Sequence, residues 1–283
     1  MMTDKTFLTY FSATHTSRNV GRAVAEGCCK TQTIQETDVT FQALKPTLLK
    51  PHDLLIVSVP VYGGHVAPLA LKRLEALQGE QTPAVAIVVY GNRNFESAAS
   101  ELQDFLTKRG FNVIAAAAFV GEHSYSTQEH PIAPHRPNHE DLEVAHTFGT
   151  AICNKLEETG QPNTIDASQL VCPDSGAENL LGFKTFIQEY QAKAAAQAKA
   201  QTPPVKLVPQ VDELLCTSCG SCANVCPTGA IDENRPVYTD PEKCIKCCAC
   251  VKNCPEGARS LATPFGPVLA RFFSQNKPNV YVL

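Results

Sequence analysis

Along roughly the first 160 residues, short apolar runs alternate with stretches whose apolar positions recur at helical spacing, the pattern of a parallel sheet flanked by helices. The runs Phe7 to Phe11, Leu54 to Val59, Val85 to Tyr90 and Val113 to Val120 are almost continuously apolar, as strands buried on both faces require. A weaker strand is expected at Thr33 to Val39. Between them, helices fit Ser17 to Cys28, Pro68 to Leu77, Phe95 to Lys108 and, after a long loop, His139 to Leu156. Five strands with four such helices suit a doubly wound α/β domain.

The pattern then changes. Phe183 to Ala200 is rich in Ala, Lys and Gln, which are good helix formers, and Pro203-Pro204 would stop such a helix. Beyond it, cysteine, glycine and proline follow at short intervals. We therefore expect an α/β domain over 1–165, a helical linker over 166–205 and a small second domain over 206–283. In the tail from Pro264, the apolar residues Phe265, Val268, Leu269, Phe272 and Phe273 predict a short helix packing back onto the body.

Composition narrows the class. A length of 283 residues suits two compact units, and no apolar run approaches the roughly 18 residues of a membrane span. The N-terminal apolar stretch is too short for a signal-peptide core, so the expectation is a soluble, cytoplasmic protein without a membrane partner. With 24 basic against 28 acidic residues, the formal charge of -4 speaks against a nucleic-acid partner. It implies nothing about oligomeric state.

The cysteines carry more information. Cys216, Cys219, Cys222 and Cys226 with Pro227 form a C-x2-C-x2-C-x3-C-P run, and Cys244, Cys247, Cys250 and Cys254 with Pro255 repeat it at a constant offset of 28 residues. Gly229-Ala230 recurs as Gly257-Ala258, which marks an internal duplication. In a chain without export signals such spacing means metal ligation, not disulfides. Paired zinc sites are the alternative for C-x2-C pairs, but three cysteines at successive spacing followed by Cys-Pro suit a cubane cluster. The segment resembles a bacterial-type ferredoxin with two 4Fe-4S clusters. That resemblance implies crossed ligation, with Cys216, Cys219, Cys222 and Cys254 on one cluster and Cys244, Cys247, Cys250 and Cys226 on the other. Cys28, Cys29, Cys153, Cys172 and Cys248 are left over, and Cys248 replaces the residue equivalent to Gly220 inside a cluster loop.

After the first strand, Ser12-Ala13-Thr14-His15-Thr16-Ser17 leads directly into a helix. Its hydroxyls, the backbone N–H groups and the helix dipole can converge on a phosphate, although Ser and Thr there also serve as ordinary N-caps. Two further loops fall on the same rim of a doubly wound sheet: Pro60-Val61-Tyr62-Gly63-Gly64-His65 and Tyr90-Gly91-Asn92-Arg93. Each pairs an aromatic or planar group with glycine. Together the three loops look like the FMN-contacting loops of flavodoxins, and the domain order is similar to the flavodoxin-ferredoxin fusion proteins of anaerobic bacteria, the "ferrodoxin" family. This resemblance implies a flavodoxin-like five-stranded parallel sheet followed by a small α+β ferredoxin-like domain. It places Ser12, Thr14, His15, Thr16 and Ser17 at the FMN phosphate. It also places Pro60, Val61, Tyr62, Gly63 and Gly64, with Tyr90, Gly91, Asn92 and Arg93, around the isoalloxazine. Asn92 and Arg93 depart from the acidic, aromatic-rich third loop of long-chain flavodoxins.

FMN and two 4Fe-4S clusters imply electron transfer, since a flavin exchanges one or two electrons and each cluster one. The partner would be a redox protein or a small-molecule donor or acceptor. Two other classes remain open: an FMN-dependent reductase of a small molecule fed by the clusters, and a redox or iron sensor. Gly121 to Ser126 follows the fifth strand, so His123 and Tyr125 are expected beside the flavin as proton donors, the catalytic candidates if the protein is an enzyme.

Overall fold

The structure is a computed structural model that describes residues 5–28, 33–159, 163–199 and 207–283. Cys29, the end of the expected linker helix at Ala200, its stop at Pro203-Pro204 and the boundary near residue 205 lie outside the described residues.

Two compact units divide the chain, one from 1–122, 133–173 and 277–283 and the other from 123–132 and 174–276. The first is built on strands β1 (Thr6–Tyr10), β2 (Ile34–Asp38), β3 (Leu54–Tyr62), β4 (Thr82–Tyr90) and β5 (Phe111–Val120). They pair in parallel in the order β2-β1-β3-β4-β5, the flavodoxin-like doubly wound arrangement. The inner strands are buried almost throughout, whereas β2 at the edge is partly exposed, so only the inner ones read as unbroken apolar runs.

Helices α1 (Thr16–Cys28), α2 (Pro68–Arg73), α3 (Ala98–Thr107) and α4 (His139–Thr159) complete this unit. Helix α1 packs closely on α4 because Gly27 and Gly149 bring backbone against backbone: a Cβ at Gly27 would collide with the His146 carbonyl, and one at Gly149 with that of Val24. Val20, Val24, Phe119, Phe148 and Ile152 fill the core between this helix pair and the sheet. Helix α2 stops at Arg73, short of the expected Leu77, since Leu77–Gly79 leaves to pair in parallel with Thr47–Leu49.

The expected domain limits shift in three places. Residues 280–282 form β6 (Val280–Val282), which pairs antiparallel with β5, so the C-terminus closes the sheet of the first unit. That pairing covers an edge that would otherwise expose a row of backbone groups, and Tyr281 packs on Phe148 with ring centroids 4.9 Å apart. The expected linker is helix α5 (Ala177–Lys199), which belongs to the second unit. There it meets the predicted tail helix α6 (Phe265–Phe272) through an aromatic cluster in which Phe186 stands edge-on to Phe265 at 5.4 Å. Third, the loop 123–132 folds with the second unit, and Ile132 shares a core with Leu269 and Phe273.

The rest of the second unit is a small ferredoxin-like region. Gln210–Val211 and Arg259–Ser260 form an antiparallel ribbon, and the single-turn helices Ser221–Asn224 and Ala249–Lys252 bury Cys222 and Cys250 against Ile231. Among the described residues no helix is long and apolar enough to cross a membrane.

Candidate functional site

The duplication is visible in the backbone. Ser218 and Lys246 take left-handed φ values of 55° and 58°, Gly220 and Cys248 take 75° and 60°, and Gly229 and Gly257 take 60° and 62°. Each pair is related by the 28-residue offset, so both cysteine runs follow one turn geometry. The left-handed step is natural for Gly220, whereas Cys248 holds it with a Cβ in place.

Each turn opens onto a cavity. Cys216, Cys219, Cys222 and Cys254 line one of them. Cys226, Cys244, Cys247 and Cys250 line a second, together with Cys248. The fourth cysteine of each run thus stands with the first three of the other. Among the described residues, no three His, Cys, Asp or Glu side chains converge on a point that would hold a single metal ion. Each quartet instead surrounds a volume, which fits a cubane with its sulfur ligands at four corners.

The two quartets differ in surroundings. Cys219 is exposed, and its hydrogen bonding with Ser221, whose Oγ lies 3.2 Å from its Sγ, holds its thiol below the usual range. Burial instead pushes Cys247 up to about 12 and Cys250 up to about 11. Buried thiols of this kind become thiolates when coordination supplies the compensating positive charge. Cys226 Sγ accepts the Ala230 N–H at 3.2 Å. The buried Arg259 guanidinium donates to Thr239 Oγ1 at 3.0 Å and to the Pro236 carbonyl, lines the first cavity, and lowers the Cys250 thiol electrostatically.

In the first unit the parallel register brings the carboxyl ends of β1, β3, β4 and β5 to one rim. After β1, Ser12 Oγ accepts the Arg18 N–H at 3.0 Å, a capping role, and the Ser12 N–H bonds Thr40 Oγ1 at 2.8 Å. His15 adopts φ 69°, and burial followed by the charge of Arg18 lowers its imidazole below the ordinary range. Ser17, in the first turn of α1, is 0% exposed and its hydroxyl has no hydrogen-bond partner among the described residues. An unpaired buried hydroxyl costs free energy. Its place in the first turn of a helix fits a bound anion such as a phosphate. Thr14 and Thr16 are half-buried in the same loop.

The second rim loop is tighter than an open loop. Strand β3 runs through Pro60 and Val61 to Tyr62 and turns at Gly63 and Gly64, with φ 65° and 92°, to pair His65 and Val66 back onto Tyr62 and Val61. Two left-handed central residues make the primed hairpin for which Gly-Gly is suited. Glu101 fastens this hairpin to α3, accepting the Val66 N–H at 3.0 Å and bonding His65 Nδ1, which raises the His65 imidazole above its ordinary value.

At the third loop, Tyr90 is buried, and burial and the adjacent Cys172 thiol raise its phenol well above its ordinary range. Gly91 is half-buried and precedes Asn92, fully buried with φ 64°, while the Arg93 guanidinium pairs with Glu96 at 2.6 Å. Sequence reasoning missed the residue that fastens this loop, Lys277; an isolated lysine in a polar tail carries no local signal. At the end of β5, a Cβ on Gly121 would come within 3.3 Å of Thr16. His123 and Tyr125 follow within the second unit, their rings 5.0 Å apart and the Tyr125 N–H donating to His123 Nδ1 at 3.0 Å. Burial, then the nearby Cys248, Cys244 and Cys247, push the Tyr125 phenol up to about 12.

A sequence-family model described as a 4Fe-4S binding domain matches residues 209–232 and again 237–260. No curated protein matches the sequence. Among solved structures, a flavodoxin from the domain Archaea is 15% identical, covering 54% of this chain and 99% of its own, with a TM-score of 0.38. The two-electron reduced flavodoxin of Megasphaera elsdenii is 12% identical over 50% of this chain and 97% of its own, with a TM-score of 0.34. The NAD(P)H:quinone oxidoreductase from Methanothermobacter marburgensis is 13% identical over 54% and 96%, also at 0.34. At such scores these likenesses carry no weight alone, and the flavodoxin-like order rests on the strand pairing.

Proposed function

We propose that this chain is an iron-sulfur flavoprotein of the flavodoxin-ferredoxin fusion type, relaying electrons between FMN, two 4Fe-4S clusters and an external redox partner. The observation that carries the reading is the pair of crossed thiol quartets, formed by a chain that also folds a flavodoxin-order sheet. When bound, the flavin supplies exchange of one or two electrons and the clusters exchange of one at a time.

The chain's own residues have separate tasks. Cys216, Cys219, Cys222 and Cys254 hold one cluster and Cys226, Cys244, Cys247 and Cys250 the other. Ser17 offers the phosphate an unpaired buried hydroxyl, with Thr14, Thr16 and the first amides of α1 beside it. Ser12 braces the loop through its bonds to Arg18 and Thr40. Tyr62 and the segment Tyr90–Arg93 bound the place of the ring, on loops stiffened by the Gly63-Gly64 hairpin and the buried Asn92. Tyr125 packs against the core of Ile132, Leu269 and Phe273 and feels Cys248, Cys244 and Cys247 electrostatically, a role in the ferredoxin-like unit.

The test is an anaerobic redox titration of the full chain reconstituted with iron, sulfide and FMN, followed by visible absorption and electron paramagnetic resonance. Two one-electron cluster signals and a flavin transition support the relay. A chain that assembles clusters yet leaves FMN in solution would reduce the first unit to a scaffold.

A further inference from the structure

The third rim loop is held from the far end of the chain. The main-chain N–H of Lys277 donates to Asn92 Oδ1 at 3.0 Å. Its ammonium donates to the Arg93 carbonyl at 2.6 Å and lies 3.4 Å from Cys172 Sγ. The residue is only 6% exposed. Around it, Arg136 reaches the Lys277 carbonyl at 3.4 Å and forms an ion pair with Asp141. Asn279 bonds Asp141 Oδ1 at 2.8 Å and accepts the Val120 N–H at 2.9 Å. The C-terminal segment thus joins the loop after β4, the end of β5 and the start of α4.

Burying an ammonium is costly unless its bonds and its field are used. Main-chain bonding through the Lys277 N–H and the pairing of β6 would survive almost any side chain, so the ammonium adds something further. It fixes the Arg93 carbonyl and brings a positive charge to a loop where Arg93 itself is engaged by Glu96. In a low-dielectric interior such a charge acts over a longer range than on the surface.

We propose that Lys277 is a positioning residue for the flavin site, setting the Tyr90–Arg93 loop and biasing the site toward the electron-rich, reduced ring. This rests on the FMN reading above. The pair Lys277→Met and Lys277→Arg separates the ammonium from the main-chain contacts, because Met keeps the stem and the Asn92 bond while Arg keeps the charge.

Three readouts on the full chain decide the matter: the FMN dissociation constant from fluorescence of apoprotein titrations, the flavin midpoint potential, and the cluster resonance signals. Lys277→Met should weaken FMN binding by at least about tenfold, the scale of one lost charge-assisted hydrogen bond, and move the flavin potential negative. Lys277→Arg should restore most of the potential, and Cys172→Ala, which keeps the Arg93 bond, should change both quantities less than Lys277→Met. Wild-type protein that binds FMN, with Lys277→Met matching it in affinity and potential, overturns the proposal. So does equal loss of the cluster signals in Lys277→Met, which would make Lys277 a general folding residue. Wild-type apoprotein that takes up no FMN overturns the flavin reading itself, a separate and recognisable failure.

Discussion

The turn from Cys216 to Cys226 and the turn from Cys244 to Cys254 share one backbone plan, with left-handed residues at matching positions, but they stand in different surroundings. In the first, Cys219 is exposed, bonded to Ser221, and lowered in pKa. In the second, Cys247, Cys248 and Cys250 are buried, and their thiols are raised. Duplication set the turn geometry, and what packs around each copy then made them unequal. Solvent exposure and hydrogen bonds to sulfur are the levers that tune cluster potentials. The comparison therefore predicts two clusters of different potential and different vulnerability.

The largest expected effect removes what the two quartets share. Arg259 lines the first cavity and acts electrostatically on Cys244 and Cys250 of the second. Arg259→Met should destabilise the cysteine region by about 2 kcal/mol, the scale of hydrogen bonds made by a charged group, and lower the iron content of both sites together. Loss of one cluster signal with the other at full strength would assign Arg259 to a single quartet.

Next in size is the order of oxidative damage. Limited exposure to air should destroy the Cys216, Cys219, Cys222 and Cys254 cluster before the buried one, as followed by the decay of the two resonance signals. Simultaneous decay would mean that exposure of Cys219 does not govern access. A smaller effect belongs to Ser221→Ala, which removes the hydroxyl at 3.2 Å from Cys219. Hydrogen bonds to cluster sulfur favour the reduced, more negative state, so its potential should fall while the other stays put. Smallest is Cys248→Gly: relief of a left-handed residue and loss of a buried side chain oppose each other. Thermal unfolding should report a net change within about 1 kcal/mol, with both clusters retained.

Much of the first unit was legible because its inner strands are buried on both faces and therefore apolar without interruption. Strand β6 was not, since Val280, Tyr281 and Val282 form an edge strand whose partner lies over 150 residues away in β5. The affiliation of α5 was hidden for a related reason. Its Ala, Lys and Gln favour helix anywhere, and it is long-range contacts such as those of Phe183 and Phe186 with Phe273 and Phe265 that attach it to the second unit. In the site, residues at fixed local spacing could be found, and this includes the eight cysteines and the Ser12 to Ser17 loop. Lys277 could not, because its meaning comes from Asn92, Arg93 and Cys172, all more than 100 residues away.

The crossed quartets are tested most directly by Cys226→Ser in anaerobically reconstituted protein, examined by electron paramagnetic resonance. Cys226 is the fourth member of the first run, yet it lines the cavity of Cys244, Cys247 and Cys250. The substitution should alter or abolish the signal of the buried cluster and leave intact the one held by Cys216, Cys219, Cys222 and Cys254. Loss of that exposed cluster, with the buried one unchanged, would contradict the crossing.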